Sequence, residues 1–218
     1  MRLLQFSTSH YCRKVRLALG WKGLTYEVKN LTPGLHRLQL KPLTGLATVP
    51  VLVVDDGEAI GETTRILRYL EKLAGPPLLP NNDIDRQRAE LLEDWLDESI
   101  GTAVRFVYYD FRAGPGKSID ASVMSQLVIQ VVRWQYAITP PAVAIAKERL
   151  EQALKTLAYW QDQDFLVGDH LSVADVTVAG LLSPLALIPD YRDRYPWLFQ
   201  KIQGIHELCG ETLPPGLA

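Results

Sequence analysis

The chain has 218 residues, 47% of them hydrophobic and 22% charged, with a formal net charge of −2. That is enough apolar material for one large domain or two modest ones, and the balanced charge excludes the basic footprint that nucleic acid or an anionic membrane surface requires. The two cysteines, Cys12 and Cys209, are too few and too far apart for a disulfide framework, so a reducing cytoplasm is the expected location.

In chain order, the short apolar run 2–6 reads as a strand ending in Ser-Thr-Ser. Residues 11–21 place Val15, Leu17, Ala18, Leu19 and Trp21 on one face of a helix that Gly20 and Gly23 stop. Residues 25–28 read as a second strand. Residues 32–47 read as irregular, with a short helix or turn around 35–40. Residues 49–54 are a β-branched run interrupted by Pro50, and Asp55-Asp56-Gly57-Glu58 signals a hairpin back through 58–60. Ile66, Leu67, Leu70 and Leu73 make an apolar helical stripe over 63–73. Residues 75–84, with three prolines and two asparagines, read as a linker.

Beyond the linker the pattern is helical. Apolar residues from Leu91 to Phe111 recur at helical spacing over about six turns. Further helices are expected over 123–137, 142–162, 172–187 and 196–208. Trp95, Trp134 and Trp160 are read as packing residues. The stretch 173–188 is too short and too interrupted, by Asp175, Thr177, Ser183 and Pro184, to span a membrane. The first twelve residues lack the apolar core and cleavage site of a signal peptide. The histidines show no metal-ligand spacing, so no metal is expected.

Four stretches carry chemistry. Thr48-Val49-Pro50 puts a proline where the pattern places a central strand, which fits either a trans proline at a strand start or a cis bond. Set beside the other stretches, the cis form is the preferred reading. It would turn the Val49 N–H and C=O outward to dock an extended peptide. Glu62-Thr63 opens a helix whose free N–H groups favour a carboxylate; a plain cap is the simpler alternative. Ser9-His10-Tyr11-Cys12 has the spacing of a C-x-x-C redox pair with serine in the first slot. A hydroxyl there can stabilise the thiolate of a bound thiol, while Cys12 reads as a buried small hydrophobe. Ser172 and Asp175 have capping-box spacing ahead of a helix that is apolar almost all round.

Together these stretches resemble the cytosolic glutathione S-transferases, over nearly the whole chain. The resemblance implies an α/β thioredoxin-like N-terminal domain over 1–76, a linker over 77–84 and an all-α C-terminal domain over 85–218. It also implies glutathione as co-substrate, a homodimer and a role in detoxification. Glutathione would be conjugated to small apolar electrophiles, with peroxide reduction also compatible. Ser9 stands where the family's activating hydroxyl or cysteine stands, and Tyr11, Cys12 and Arg13 are further catalytic candidates. Thr48, Val49, Pro50, Glu62 and Thr63 would hold glutathione, with threonine in place of the family's usual serine. His36, Arg37 and Lys41 are candidates for its glycyl carboxylate. Tyr108, with Phe106, Tyr109 and Phe111, would contribute to the electrophile site. Two other readings stand beside this one: a glutathione-dependent thiol–disulfide oxidoreductase using Cys12, and a non-catalytic binding or scaffold protein.

Overall fold

The computed structural model describes residues 1–217. Four strands form one sheet in the order β2-β1-β3-β4: β1 is Arg2–Gln5, β2 Glu27–Asn30, β3 Val51–Val53 and β4 Ala59–Gly61. β1 runs parallel to β2 and antiparallel to β3, and β3 and β4 form the hairpin read from Asp55–Glu58. Helix α1 (His10–Trp21) makes the crossover between the parallel strands, as a parallel pair requires. α2 (His36–Thr44) and α3 (Thr63–Glu71) follow β2 and β4.

Strand alternation sorts the core into two layers. Leu3, Leu52 and Ile60 face α1 and α3 and join the main core, whereas Leu4 and Val51 face Leu31 and Leu40 on the other side. This is the expected thioredoxin-like arrangement. Among the described residues, all regular structure after α3 is helical: α4 (Asp83–Asp94), α5 (Gly101–Ala113), α6 (Val123–Gln135), α7 (Pro140–Thr156), α8 (Val173–Leu182), α9 (Pro189–Arg194) and α10 (Pro196–Leu208).

α8 is the centre of the helical body. All ten of its residues are buried, and a Cβ on Gly180 would lie 2.8 Å from the Lys14 Cα. Backbone-to-backbone contact with α1 is possible only because that position is glycine. Asp175 accepts hydrogen bonds from the backbone N–H of Ser172 at 2.9 Å and of Leu166 at 2.8 Å, and from the Ser172 hydroxyl at 2.8 Å. The capping box thus also pins the preceding loop.

Several expectations are corrected. The second strand lies at 27–30 rather than 25–28, because register with β1 starts at Arg2–Glu27. All four of its residues are exposed on the sheet edge, so no apolar alternation marks it. The stretch 32–47 contains a regular helix, α2, with Pro42 inside it. It closes on Gly45 in the left-handed region (φ 75°) and buries only Leu40, too little to write a periodic pattern. The long helix is interrupted: Trp95–Ile100 forms a wider π turn between α4 and α5. Helix geometry yields to a 3-10 turn at Pro184, so α8 stops at Leu182 and not at residue 187. α7 likewise tightens to a 3-10 turn after Thr156. The six-residue α9 was too short to read. Trp160 is buried, but Trp134 is 85% exposed and packs against no core.

Candidate functional site

The sheet register assembles the site. Leu4 of β1 pairs with Val51 of β3, and Val51 pairs with Gly61 of β4. The chain leaves β1 toward Ser9, enters β3 from Val49-Pro50 and leaves β4 into Glu62. All three segments therefore emerge side by side at one end of the sheet, on strands about 4.8 Å apart.

The Val49-Pro50 bond is cis. The β1–β3 ladder begins at Val51, and among the described residues the Val49 N–H and C=O take part in no backbone hydrogen bond. Val49 is half-buried, Thr48 exposed and Pro50 buried. Glu62 has φ 72° and ψ 135°, a conformation that non-glycine residues rarely adopt. Its carboxylate accepts from the N–H groups of Thr64 at 2.8 Å and Arg65 at 3.1 Å, and so caps α3. Thr63 is buried, and its hydroxyl donates to Asp97 at 2.9 Å.

Ser9 is the N-cap of α1. Its hydroxyl oxygen accepts from the Cys12 N–H at 3.3 Å, and its side chain is partly open to solvent. Cys12 is fully buried, and desolvation pushes its thiol up, against the opposing effect of Ser9. Tyr11 donates to the Asp97 carbonyl at 2.9 Å, within the π turn, and its phenol is pushed up to about 12, chiefly by burial. His10 lies with Nε2 3.3 Å from the Gly101 carbonyl and its ring 4.6 Å from that of Tyr11. A Cβ on Gly101 would come within 2.8 Å of the Tyr11 hydroxyl. These contacts couple the head of α1 to the π turn, the kind of helix irregularity that often marks functional sites.

Arg13 is committed elsewhere: it donates to the Thr212 carbonyl at 3.2 Å and lies 3.5 Å from His206. Burial pulls its pKa down to about 10. Of the basic candidates, Arg37 and Lys41 are exposed, while His36 packs edge-on against Phe6 at 4.9 Å. Burial lowers the His36 pKa, and the Ala47 backbone opposes it, which places His36 beside the segment leading to Val49. Tyr108 accepts from Arg112 at 2.9 Å and meets Tyr109 edge-on at 5.3 Å.

Under this site lies an ionic cluster that sequence reasoning missed. Lys14 is fully buried and donates to Glu93 at 2.5 Å, to Asp97, and to the Thr63 hydroxyl at 3.4 Å. Thr64 adds a hydrogen bond to Glu93 at 2.9 Å. Glu93 and Asp97 stand four residues apart, on one helix face beside the apolar Leu92 and Leu96. That spacing was the available signal. Arg105 was missed in the same way.

Buried titratable groups around the site set an acid limit. Burial lowers His10 to about 3 and His206 to about 4, from an ordinary 6.5. Both stay neutral in the fold and charge only on unfolding, so they remove stability as pH falls below 6.5. Asp175, raised by burial to about 6, opposes one of them. Between pH 6 and 4 the unfolded chain therefore takes up a net one proton more from these three groups. Stability is expected to fall by about 1.4 kcal/mol per pH unit. Denaturation midpoints across that range check the slope, and His206→Asn should flatten it.

Residues 3–78 match the family described as "Glutathione S-transferase, N-terminal domain", and residues 121–196 match "Glutathione S-transferase, C-terminal domain". The chain is 31% identical to the uncharacterized GST-like protein YibF of Escherichia coli, over 99% of each. It is 30% identical to the probable glutathione S-transferase parA of Nicotiana tabacum, over 60% of this chain and 58% of that protein. Another curated relative is spanned for only 47% of its length. A solved glutathione S-transferase from Methylobacterium radiotolerans, in complex with glutathione sulfonate, superposes with a TM-score of 0.75 at 25% identity, covering 98% of this chain and 94% of that one.

Proposed function

The chain belongs to the glutathione S-transferase family, and on that premise we propose that it binds glutathione at the Ser9–Val49–Glu62 end of the sheet and transfers it to a small electrophile with an apolar body. The observation that carries the reading is the register-set convergence of three segments: an unpaired Val49 backbone, the N-terminus of α3 and the partly open Ser9 hydroxyl. The first can pair with the cysteinyl unit as an added strand. The second can receive the γ-glutamyl carboxylate. The third can donate to the sulfur and favour its ionised form. In the chemical step the thiolate forms a carbon–sulfur bond to the electrophilic carbon. Either a leaving group departs with its bonding pair, or the pair of an activated double bond moves to the neighbouring carbon and takes a proton.

Burial of Cys12 supports this reading over thiol–disulfide exchange, which needs an accessible thiolate. The hydroxyl of Thr63 already serves Asp97, so its backbone N–H is the group left for the peptide. His36 is favoured for the glycyl carboxylate. A homodimer in the cytoplasm completes the proposal. Ser9→Ala is expected to lower kcat/KM toward a chlorodinitrobenzene about 100-fold, the scale of losing one donor to a developing anion. Glutathione affinity should fall far less, and Cys12→Ser should keep most of the activity. The reverse pattern, with Cys12→Ser inactive and Ser9→Ala indifferent, would replace the transferase reading with the oxidoreductase one.

A further inference from the structure

We infer that Arg105 forms an anion-binding subsite beside the thiol, so that the preferred electrophile carries a carboxylate on an aromatic or apolar body. The inference rests on the transferase reading and names its substrate class. Arg105 lies on α5, one turn before Tyr108 and Tyr109. Its guanidinium carbon sits 5.2 Å from the ring centre of Tyr11 and 4.5 Å from that of Tyr136. Tyr11 is two residues from Ser9 along α1, and the Arg105 charge is felt at His10, Tyr11 and Tyr109. The cation therefore stands at the head of α1.

What sets Arg105 apart is its lack of a counter-ion. Among the described residues it forms no ion pair and no hydrogen bond. Each other arginine of the chain has an acceptor, as Arg13, Arg16, Arg112, Arg133 and Arg194 do, or is exposed, as Arg37, Arg65, Arg68, Arg149 and Arg192 are. Arg105 is half-buried, yet none of its nitrogens is among the sealed, unpartnered polar atoms, so they remain reachable from solvent. Of the carboxylates along the same helical run, Glu93 and Asp97 pair with Lys14 and Asp110 with Arg133, while Glu98, unpaired among the described residues, feels Asp97, Glu62, Asp94 and Lys14 rather than Arg105. Contact with aromatic rings holds a guanidinium in place but uses none of its five N–H donors, which lie in the plane of the fork. A held fork with free edge donors suits a planar carboxylate, which it binds through two parallel hydrogen bonds. The adjoining tyrosine rings offer the apolar surface for the rest of the molecule.

A carboxylate at Arg105 has two possible sources, the electrophile or glutathione itself, and equilibrium binding separates them. The probes are glutathione, S-(2,6-dinitrophenyl)glutathione and S-(4-carboxy-2,6-dinitrophenyl)glutathione. The last two are the products when the thiolate sulfur displaces chloride, with its bonding pair, from the matching chlorodinitroarene. The native protein is expected to bind the carboxylated conjugate about tenfold more tightly than the neutral one, the scale of one charge-assisted contact. Arg105→Gln should bring that ratio to about one, and Arg105→Lys should restore only part of it. A ratio of one in the native protein overturns the inference. So does a ratio that survives Arg105→Gln, or an equal loss of affinity for glutathione alone, which would assign Arg105 to the peptide. Failure of the transferase reading looks different: the conjugate ratio would hold while neither chloroarene is turned over.

Discussion

Replacing Lys14 with methionine is expected to destabilise the protein by about 3–5 kcal/mol, the cost of leaving buried charges unpaired. Lys14 is fully buried, and its partners Glu93 and Asp97 are 5% and 6% exposed. Methionine approximates the stem of the lysine but leaves two carboxylates facing each other without a cation. Thr63 loses a partner of its hydroxyl in the same change, so the α3 N-terminus should loosen and glutathione affinity should fall with stability. Denaturation midpoints, with titration of glutathione into the folded variant, measure both effects. A loss below about 1 kcal/mol would mean that water reaches the cluster and that the pair counts as an exposed one. Glu93→Gln combined with Lys14→Met should recover part of the loss, because one of the stranded charges is gone.

Asp175→Ala is expected to cost about 3–5 kcal/mol through a different mechanism. The substitution leaves the buried N–H groups of Leu166 and Ser172 without acceptors, and each such group costs about 1–3 kcal/mol. It also removes half of the capping box on α8, worth about 1 kcal/mol more. Asp175→Asn retains one acceptor oxygen, which can serve Leu166 or Ser172 but not both, and should lose about half as much. Thermal or chemical unfolding of the two variants separates the cases. Equal losses for both would show that the charge, rather than the acceptor geometry, holds the loop. Since α8 packs against α1 through Gly180, the damage should spread to the sheet-bearing half, and the protein should still unfold in one transition.

The elements that a buried face writes into the chain were legible. α3 and α10 carry apolar stripes, α8 is buried all round and α1 is buried from Cys12 to Leu19, and the crossover logic then required β1 and β2 to be parallel. What was not legible has specific reasons. β2 is an exposed edge strand whose placement depends on its partner. α2 buries only Leu40. The π turn at Trp95–Ile100 shares the apolar period of its flanking helices. Lys14 stands in the run Arg13-Lys14-Val15-Arg16, which looks like a solvated basic face until α4 and the π turn close over it.

The same division holds at the site. The segments around Ser9, Val49-Pro50 and Glu62-Thr63 were recognisable in the sequence, because backbone pairing, helix capping and thiolate stabilisation each need particular residues at short spacing. Their assembly at one end of the sheet was decided by the β1–β3–β4 register. The environment of each side chain was also a tertiary matter: Cys12 is sealed, Arg13 is drawn to Thr212, and Arg105 is left unpaired between Tyr11 and Tyr136. Burial and pairing depend on residues 80 to 200 positions away, and no local pattern encodes them. By itself the sequence determined the fold class, and its short motifs marked the segments proposed to hold a peptide. The tertiary structure decided which groups remain open to do chemistry, because only packing removes water from some polar groups and leaves others facing it.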